Sequence, residues 1–263
     1  MNYRILAIGD IVGYGAVECL KRQLWTIRRE FGVDFVVANG ENAAEGNGLD
    51  ADSAKTLLMA GVDVLTTGNH VWKKNDLHTV LRSGDPVLRP ANYPSKCPGT
   101  GSIIRTVNGY RVLVINIQGT TFMEALDNPF DTLEKVLEWE KGRYDFSVLD
   151  VHAEATGEKQ AIAHCFDGRI SVVFGTHTHV QTADAQILPG GTGYLTDIGM
   201  TGPTDGILGI RKEVIIDRLR MKMPSRFTVA EGSIVLCGAC FTVDPDSGRC
   251  LECVPVRREL GTP

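Results

Sequence analysis

The chain has 263 residues, of which 43% are hydrophobic and 22% are charged, and its formal net charge is −5. These values are ordinary for a globular protein with a sizeable core, and the acidic balance argues against a surface that grips long nucleic acid through many phosphates. The sequence contains no recognisable targeting or membrane segment, and its seven scattered cysteines fit reduced thiols, so we expect a cytoplasmic protein.

The first half of the chain alternates short apolar runs with amphipathic stretches. The apolar runs predict three strands, over residues 3–8, 35–38 and 62–66. The amphipathic stretches predict three helices, over residues 17–29, 51–60 and 75–82. Asp50 or Asp52 is the expected N-cap of the second helix. Residues 89–94 (Arg-Pro-Ala-Asn-Tyr-Pro) should contain no regular element, because proline and asparagine favour turns.

The second half contains further strands and ends in a hairpin. We predict strands over residues 111–117, 146–151, 171–174, 185–188 and 192–195, and helices over residues 130–141 and 159–166. The hairpin covers residues 234–256 and turns at Asp244-Pro245-Asp246-Ser247-Gly248. No repeat or linker divides the chain, so we expect one domain over residues 1–263. The expected fold class is α/β, with two packed mixed β-sheets flanked by helices, parallel in the first half and more antiparallel in the second.

Polar side chains follow the apolar runs at several places far apart in the chain. They occur in Ile8-Gly9-Asp10, Asn39-Gly40-Glu41-Asn42, Thr67-Gly68-Asn69-His70 and Gly175-Thr176-His177-Thr178-His179, with Asp150-Val151-His152 as a fifth contributor. In an open α/β sheet the carboxyl ends of the strands converge on one crevice, so these groups should meet in space. Carboxylates, amide oxygens and imidazoles together suit a pair of divalent metal ions.

Each segment taken alone has an ordinary structural explanation. Asp10 could cap a helix, Asn69 could serve a turn, and a single His152 at a strand end is more often a satisfied buried residue. Together the segments are more specific. His177 and His179 stand two apart and would project to one side of an extended segment. A glycine directly precedes the ligand cluster in three of four segments and permits a sharp exit from the strand.

The coordination arithmetic also supports a dinuclear site. Two metal sites that share one carboxylate need about six to eight protein ligands. The segments supply seven candidates: Asp10, Glu41, Asn42, Asn69, His152, His177 and His179.

These segments resemble the calcineurin-like metallophosphoesterase superfamily and, more closely, its YmdB-like branch of phosphodiesterases. The resemblance extends from residues 9–13 (Gly-Asp-Ile-Val-Gly) to residues 197–203 (Asp-Ile-Gly-Met-Thr-Gly-Pro), and residues 39–43 and 89–94 carry branch-level motifs. Two positions depart from the commoner superfamily pattern. Asp10-Ile11-Val12 lacks the histidine of the usual Asp-x-His motif, and Glu41 stands where a bridging aspartate is usual. Both departures are shared by the branch.

The resemblance implies an αββα sandwich and two divalent metal ions, Fe or Mn in first place, with Zn as an alternative. It implies one metal site from Asp10, Glu41, Asn42 and His179, and a second from Glu41, Asn69, His152 and His177. It also implies a hydroxide that bridges the metals and attacks phosphorus, with His70 as the general acid. The implied substrates are small phosphodiesters, above all cyclic nucleotides, with 2′,3′-cyclic phosphates favoured. Two divalent cations against two carboxylates leave about +2 in the pocket, which attracts a phosphodiester monoanion.

Four further residues are candidate substrate contacts. Phe122 could stack on a base, Arg89 or Lys159 could contact phosphate, and Asn92 lies in the same proline-rich loop as Arg89. For each of these residues, loop structure or a solvated charge is the favoured alternative.

The cysteines of the C-terminal hairpin form two CxxC pairs, Cys237 with Cys240 and Cys250 with Cys253. Such pairs often bind zinc, but residues three apart on a strand point to opposite faces of a sheet. We therefore favour reduced cysteines, with Cys240 and Cys253 as cross-strand neighbours, over a structural zinc site.

Two other functional classes remain open. The chain could be a regulatory protein that binds a nucleotide or a partner and uses its metals structurally, although such a site has no need of a free imidazole at His70. It could also be an RNA-processing nuclease, which would need a basic track that the sequence lacks. The oligomeric state is open as well, a homo-oligomer included.

Overall fold

The computed structural model describes residues 2–263, which form two β-sheets that pack face to face between layers of helices. The strands are β1 (Tyr3–Ile8), β2 (Asp10–Ile11), β3 (Phe35–Asn39), β4 (Val64–Thr66), β5 (Ser102–Val107), β6 (Tyr110–Gln118), β7 (Phe146–His152), β8 (Val172–Thr176), β9 (Gln186–Ile187), β10 (Gly193–Leu195), β11 (Met200–Pro203), β12 (Ile234–Val243) and β13 (Cys250–Gly261). The helices are α1 (Gly13–Phe31), α2 (Ala51–Ala60), α3 (Leu77–Ser83), α4 (Pro129–Glu140), α5 (Thr156–Cys165) and α6 (Lys212–Met221).

The two sheets are both mixed. The first has the order β2-β11-β12-β1-β3-β4, with β13 paired to β12, and the second has the order β5-β6-β7-β8-β10-β9. Parallel pairs join β1, β3 and β4 in the first sheet and β6, β7, β8 and β10 in the second. Antiparallel pairs are made by β12, β13, β5 and β9. The expected mixed sheets are confirmed, but each sheet has its own parallel set, so the two pairing types are not divided between the halves of the chain.

Alternation along the strands creates the layers. In β1, Ile5 and Ala7 face the second sheet, while Leu6 and Ile8 pack under α1 and α2. The second sheet repeats the pattern, because Val148 lies between the sheets and Leu149 packs under α4 and α5. Successive strand residues point to opposite faces, so strands buried on both faces read as continuous apolar runs. The resulting order of layers is helix, sheet, sheet, helix, as the fold class predicted.

Most predicted elements occur within a few residues of their expected bounds, and Asp50, not Asp52, caps α2 by accepting a hydrogen bond from the Ser53 amide. Residues 89–94 contain no helix or strand, as expected. Strands β2, β5 and β11 and helix α6 were not predicted. The edge strand β5 and helix α6 contain no buried side chain, so neither carries a clear apolar period. The single domain over residues 1–263 stays a prediction.

All seven cysteines are free thiols. Cys240 pairs across the hairpin with Val254, and Cys253 pairs with Phe241. The expectation that these two cysteines are cross-strand neighbours is therefore wrong. The cause is register: Cys240 packs towards the helical layer and Cys253 towards the layer between the sheets.

Among residues 2–263, no helix combines the length and the apolar character that crossing a membrane requires.

Candidate metal centre

The ends of five strands bring the predicted ligands together at one edge of the sandwich. Strands β1, β3 and β4 of the first sheet and β7 and β8 of the second all stop at this edge. Six of the seven predicted ligands come from the residues at or just beyond these ends, and His179 comes from the loop after β8. Parallel strands explain the convergence, because their carboxyl ends share one edge of the sheet.

Glu41 lies at the centre of the cluster and is almost fully buried. Its Oε1 atom is 3.1 Å from His152 Nε2 and 3.3 Å from the side-chain nitrogen Nδ2 of Asn42. Its Oε2 atom accepts a hydrogen bond of 3.1 Å from the His70 amide. The Asn39 side chain fixes the backbone here, since its Oδ1 accepts from the Glu41 amide at 3.1 Å. One carboxylate therefore touches residues on both sides of the cluster.

On one side of Glu41 lie Asp10, Asn42 and His179. The His179 Nε2 atom is 3.3 Å from the side-chain nitrogen Nδ2 of Asn42 and 3.7 Å from Asp10 Oδ1. The Oδ2 atom of Asp10 accepts a hydrogen bond from the His177 amide at 3.0 Å. Among residues 2–263 the other oxygen, Oδ1, has no hydrogen-bond partner, although it is buried. A buried carboxylate oxygen without a partner is costly unless a cation compensates it.

On the other side of Glu41 lie Asn69, His152 and His177. The His152 Nε2 atom is 3.0 Å from Asn69 Oδ1 and 3.1 Å from His177 Nδ1. Ligand atoms of Glu41, His152 and His177 all lie within 4.8 Å of one another. The structure thus brings together the members of each ligand set that the family resemblance implied, and their division between two metal ions stays a prediction.

A buried hydrogen-bond chain orients His152. The Thr176 hydroxyl donates to Asp150 Oδ1 at 2.7 Å, so its oxygen can accept from His152 Nδ1 at 2.9 Å. Asp150 also accepts from Thr66 at 2.6 Å and from Asn39 at 2.9 Å. With the proton on Nδ1, the Nε2 lone pair of His152 points into the cluster, as a metal-bound imidazole requires.

The other two histidines are oriented in the same way. His179 Nδ1 faces the carbonyl oxygen of Leu208 at 3.1 Å, which leaves Nε2 for the cluster. His177 Nε2 faces Glu154 Oε2 at 3.1 Å, which leaves Nδ1 for the cluster. A second hydrogen-bond partner on the outer nitrogen is typical of metal-binding histidines. The sequence analysis did not predict a role for Glu154. Its position two residues after His152 was the only feature that could have indicated one.

The electrostatics of the cluster favour a bound cation. Burial raises the pKa of Asp10. Burial would also raise the pKa of Glu41, but the His152 and His70 imidazoles hold it well below its usual range. Burial would lower the pKa of His152, yet the Glu41 carboxylate and its acidic neighbours raise it to about 9. Burial and the charge of His152 lower the pKa of His177 to about 3. The carboxylates of Glu41, Asp10 and Asp150 therefore stabilise positive charge next to them.

The backbone leaves room at the centre of the cluster only because residue 68 is glycine. A Cβ atom on Gly68 would lie 2.3 Å from His152 Nε2 and 2.4 Å from Glu41 Oε2. Gly9 is also required by close packing, since its Cβ would lie 1.9 Å from the Gly199 carbonyl oxygen. We expected these glycines because they permit a sharp turn, but neither has a positive φ. Glycine is needed at both positions because a side chain would not fit there.

His177 and His179 do not lie in an extended segment, as the sequence had suggested. Both have positive φ, 94° for His177 and 63° for His179, which non-glycine residues rarely adopt. The loop turns at each histidine and brings both rings into the cluster. Such strained residues persist only where surrounding contacts hold them, and they concentrate at functional sites.

The donor set of this edge fits divalent metal ions. Within residues 2–263, Asp10 Oδ1 lacks a hydrogen-bond partner. Glu41 Oε1 and Asn69 Oδ1 lie 3.1 and 3.0 Å from His152 Nε2, and Gly68 keeps the centre open. Mixed oxygen and imidazole ligands suit Mn, Fe and Zn.

His70 borders the cluster and faces the cavity. Its Nδ1 atom lies 2.9 Å from Asn42 Oδ1 and 3.3 Å from Glu41 Oε1. Within residues 2–263, no protein hydrogen bond involves its Nε2 atom. Asn42 turns its amide nitrogen towards the cluster in this orientation, so service as an oxygen ligand requires rotation of the amide by 180°. The amide nitrogen would then donate to His70 Nδ1, and the proton of a neutral His70 would sit on Nε2.

The four predicted substrate contacts do not line the cavity. Lys159 is fully buried and pairs with Asp197 at 2.7 Å. The Asn92 amide donates to the Gln118 and Asp127 carbonyls and accepts from the Gln118 amide. Arg89 is buried and donates to the Pro90 carbonyl oxygen. The structure thus engages Asn92 and Lys159 internally, which argues against direct substrate contact by either.

Phe122 is 90% exposed and also lies outside the cavity. Its φ is 62°, so it occupies a loop tip that needs no aromatic side chain for packing. No contact with the ligand cluster supports its predicted stacking role.

The cavity next to the ligands has a volume of about 340 Å³ and two unlike sides. One side, the ligand half, contains Glu41, Asn42, His70, His177 and His179. The other side, which we call the apolar wall, comprises Ile207, Leu208, Ile210, Ile215, Phe227 and Val229. The apolar wall was not predicted, because its residues are scattered over a region of the sequence without a clear apolar period.

Comparisons with known proteins agree with this architecture. Residues 6–256 match the model of a family described as YmdB-like protein. The chain is 43% identical over 249 residues to a 2′,3′-cyclic-nucleotide 2′-phosphodiesterase of Bacillus subtilis (strain 168), covering 95% of this chain and 94% of that protein.

Two solved structures are similar over nearly the whole chain. One is a protein from Thermus thermophilus, with a TM-score of 0.91 and 41% identity, covering 97% of this chain and 99% of that one. The other is a phosphatase from Mycoplasma pneumoniae, with a TM-score of 0.92 and 31% identity, covering 98% of this chain and 94% of that one.

Proposed function

The chain belongs to the YmdB-like family of the calcineurin-like metallophosphoesterase superfamily, and we propose that it is a phosphodiesterase that hydrolyses 2′,3′-cyclic nucleotides with two divalent metal ions. The observation that carries the proposal is the convergence of seven candidate ligand side chains, six of them around Glu41, with the His70 imidazole beside them. The substrate class follows the name of the Bacillus subtilis relative.

We assign one metal ion to Asp10, Glu41, Asn42 and His179, and the other to Glu41, Asn69, His152 and His177. Glu41 would be shared by both ions, because it contacts residues of each group. Fe and Mn are the proposed metals, with Zn as an alternative. Metals bound here would activate water at neutral pH and neutralise charge on the phosphoryl oxygens.

The protein's own residues supply orientation and the proton. Hydrogen bonds from His152 to Thr176 and from Thr176 to Asp150 hold His152 in one tautomer. The Glu154 carboxylate does the same for His177. His70 lines the cavity, and its Nε2 atom would hold a proton and deliver it to the ribose oxygen as the P–O bond breaks. Cleavage of the 2′ ester leaves a 3′-nucleotide as the product.

The cysteines bear on the location of the enzyme. Seven free thiols, several of them buried, suit a reducing compartment. We therefore propose that the enzyme works in the cytoplasm.

Turnover of a panel of cyclic nucleotides tests the function. Wild-type protein supplied with Mn or Fe should convert 2′,3′-cyclic nucleotides into 3′-nucleotides, as followed by chromatography. Exhaustive chelation should abolish the reaction and added Mn should restore it, because the metals are required for attack. Activity that survives chelation would rule out the metal mechanism, and lack of turnover with every metal would rule out the substrate class.

A further inference from the structure

The apolar wall shares one cavity with the metal ligands, but the proposed chemistry makes no use of it. Phosphodiester hydrolysis needs charged and polar groups around the phosphate, whereas this wall offers six apolar side chains. The cavity volume of about 340 Å³ lies within the range of about 300–1,000 Å³ that small-molecule sites occupy. A ligand that fills it must therefore carry an apolar part next to its phosphate.

Backbone hydrogen bonds give the wall a defined shape. Ile207 and Ile210 exchange hydrogen bonds of 2.8 and 3.0 Å, which closes a tight turn. Ile210 forms a β-bridge with Val229, and the Ala230 amide donates to the Gly209 carbonyl oxygen at 2.8 Å. Isolated β-bridges and backbone hydrogen bonds thus hold the turn against the segment that contains Val229, and Ile215 joins the wall from helix α6.

The wall is also tied directly to the metal ligands. The Leu208 carbonyl oxygen faces His179 Nδ1 at 3.1 Å, so the turn and a predicted ligand are fixed relative to each other. Leu208 itself has a φ of 52° and a side chain that is 46% exposed. An apolar group held this close to the phosphate position suits the part of a substrate nearest its phosphate.

Phe227 supplies an aromatic ring to the wall. It is half-buried, and Val229 two residues later lines the same cavity, as expected for alternate residues of an extended segment. The Arg218 guanidinium lies 4.8 Å from the centroid of the Phe227 ring and covers one face of it. A planar ligand would therefore meet the opposite face or the edge of the ring.

We propose that the apolar wall is the nucleobase subsite and that Phe227 stacks on the base. This inference rests on the proposed function, because it places the phosphate of the nucleotide in the ligand half. The wall contains no polar side chain to read the hydrogen-bonding edge of a base, so it recognises a base as a flat apolar surface. The stacking role predicted for Phe122 passes to Phe227.

Equilibrium binding to the Mn-loaded full chain tests the subsite. Adenosine 3′-phosphate and glycerol 3-phosphate both carry a phosphate monoester, but only the first has a base. Wild type should bind the adenosine compound more tightly. Phe227→Ala should reduce the affinity ratio of the two ligands about tenfold, within the range for loss of a base-stacking aromatic side chain. Phe227→Tyr keeps the ring and should keep the ratio close to that of wild type.

Two further variants locate the effect. Trp139→Ala removes another aromatic ring, 79% exposed and outside the cavity, and should leave the ratio unchanged. Phe122→Ala tests the rival stacking residue. A changed ratio in Phe122→Ala with an unchanged ratio in Phe227→Ala would overturn the proposal, as would equal weakening of both ligands by Phe227→Ala. Thermal unfolding of each variant shows whether it is folded.

Failure of the subsite and failure of the proposed function give different results. If wild type hydrolyses no 2′,3′-cyclic nucleotide but Phe227→Ala still lowers the binding ratio, the function is wrong and the subsite stands. If turnover is normal and the ratio does not depend on Phe227, the subsite is wrong and the function stands.

Discussion

The two halves of the cavity are built in different ways. The ligand half comes from the ends of strands in both sheets and from the loop after β8, and its neighbour His152 is fixed by a buried hydrogen-bond chain through Thr176 to Asp150. The apolar wall comes from residues 207–229, outside the sheet order, where α6 buries no side chain. The difference teaches that the chemistry depends on the sandwich itself, whereas recognition of the rest of the substrate depends on a segment attached to it.

The comparison predicts unequal tolerance to substitution. A change of one methyl group in the ligand half should remove metal binding, because the surrounding groups are held by the sheets. Substitutions in the wall should alter substrate preference and leave the metals in place.

The largest effect is expected from Gly68→Ala. The new methyl carbon would lie 2.3 Å from His152 Nε2 and 2.4 Å from Glu41 Oε2. We expect loss of metal and of measurable turnover, as determined by elemental analysis and by hydrolysis of 2′,3′-cyclic AMP. Gly157→Ala is the matched control, because a Cβ there has no neighbour within 4 Å. Full metal content in Gly68→Ala would contradict the placement of the ions.

The next effect concerns the proton donor. His70→Ala should keep both metals and slow hydrolysis of a cyclic nucleotide by ~10²–10⁴-fold, the usual range for general acid catalysis. A p-nitrophenyl phosphodiester should suffer much less, because p-nitrophenolate leaves without a proton. Steady-state kinetics on both substrates measures the difference. Equal losses would assign His70 to the phosphoryl oxygens instead, and loss of metal would make it a ligand.

A third effect tests the support beneath the ligand half. Lys159 and Asp197 form a buried ion pair, and Asp197 also accepts hydrogen bonds from the amide and hydroxyl of Thr178, between the two strained histidines. Lys159→Met leaves Asp197 buried without its counter-ion, so the free energy of unfolding should fall by about 3–5 kcal/mol. Equilibrium urea unfolding measures the loss.

The smallest effect is expected from a matched surface pair. Arg169 and Glu134 also form an ion pair, but their side chains are 46% and 52% exposed. Arg169→Met should therefore change the free energy of unfolding by only about 0–1 kcal/mol. Similar losses in Lys159→Met and Arg169→Met would show that burial of the first pair adds nothing to the stability of the ligand half.

The ligand half could be predicted well from the sequence because its signals are local. Each ligand follows an apolar run that forms a strand, and parallel strands bring their ends together whatever the loop lengths. The partition of the candidate ligands between two metal ions comes from the family resemblance alone and stays a prediction. The reasons for individual residues were less accessible, since the need for Gly68 arises from Glu41 and His152, which are distant in sequence.

The apolar wall could not be predicted for a physical reason. Its helix α6 buries no side chain, so it lacks the periodic apolar stripe by which helices are recognised. The buried position of Lys159 was missed for a related reason, because a lysine in a helix is normally solvated. Here its ammonium group donates a hydrogen bond to Asp197, 38 residues later. Contacts of this kind depend on the tertiary fold and leave no local pattern.

Metal content of wild type and Glu41→Gln tests the central claim most directly, because Glu41 is the one side chain assigned to both ions. The substitution keeps the shape of residue 41 and removes its charge. After reconstitution with Mn, elemental analysis should give two metal ions per chain for wild type and at most one for Glu41→Gln, with hydrolysis of 2′,3′-cyclic AMP nearly abolished. Two ions per chain and normal turnover in Glu41→Gln would contradict the account.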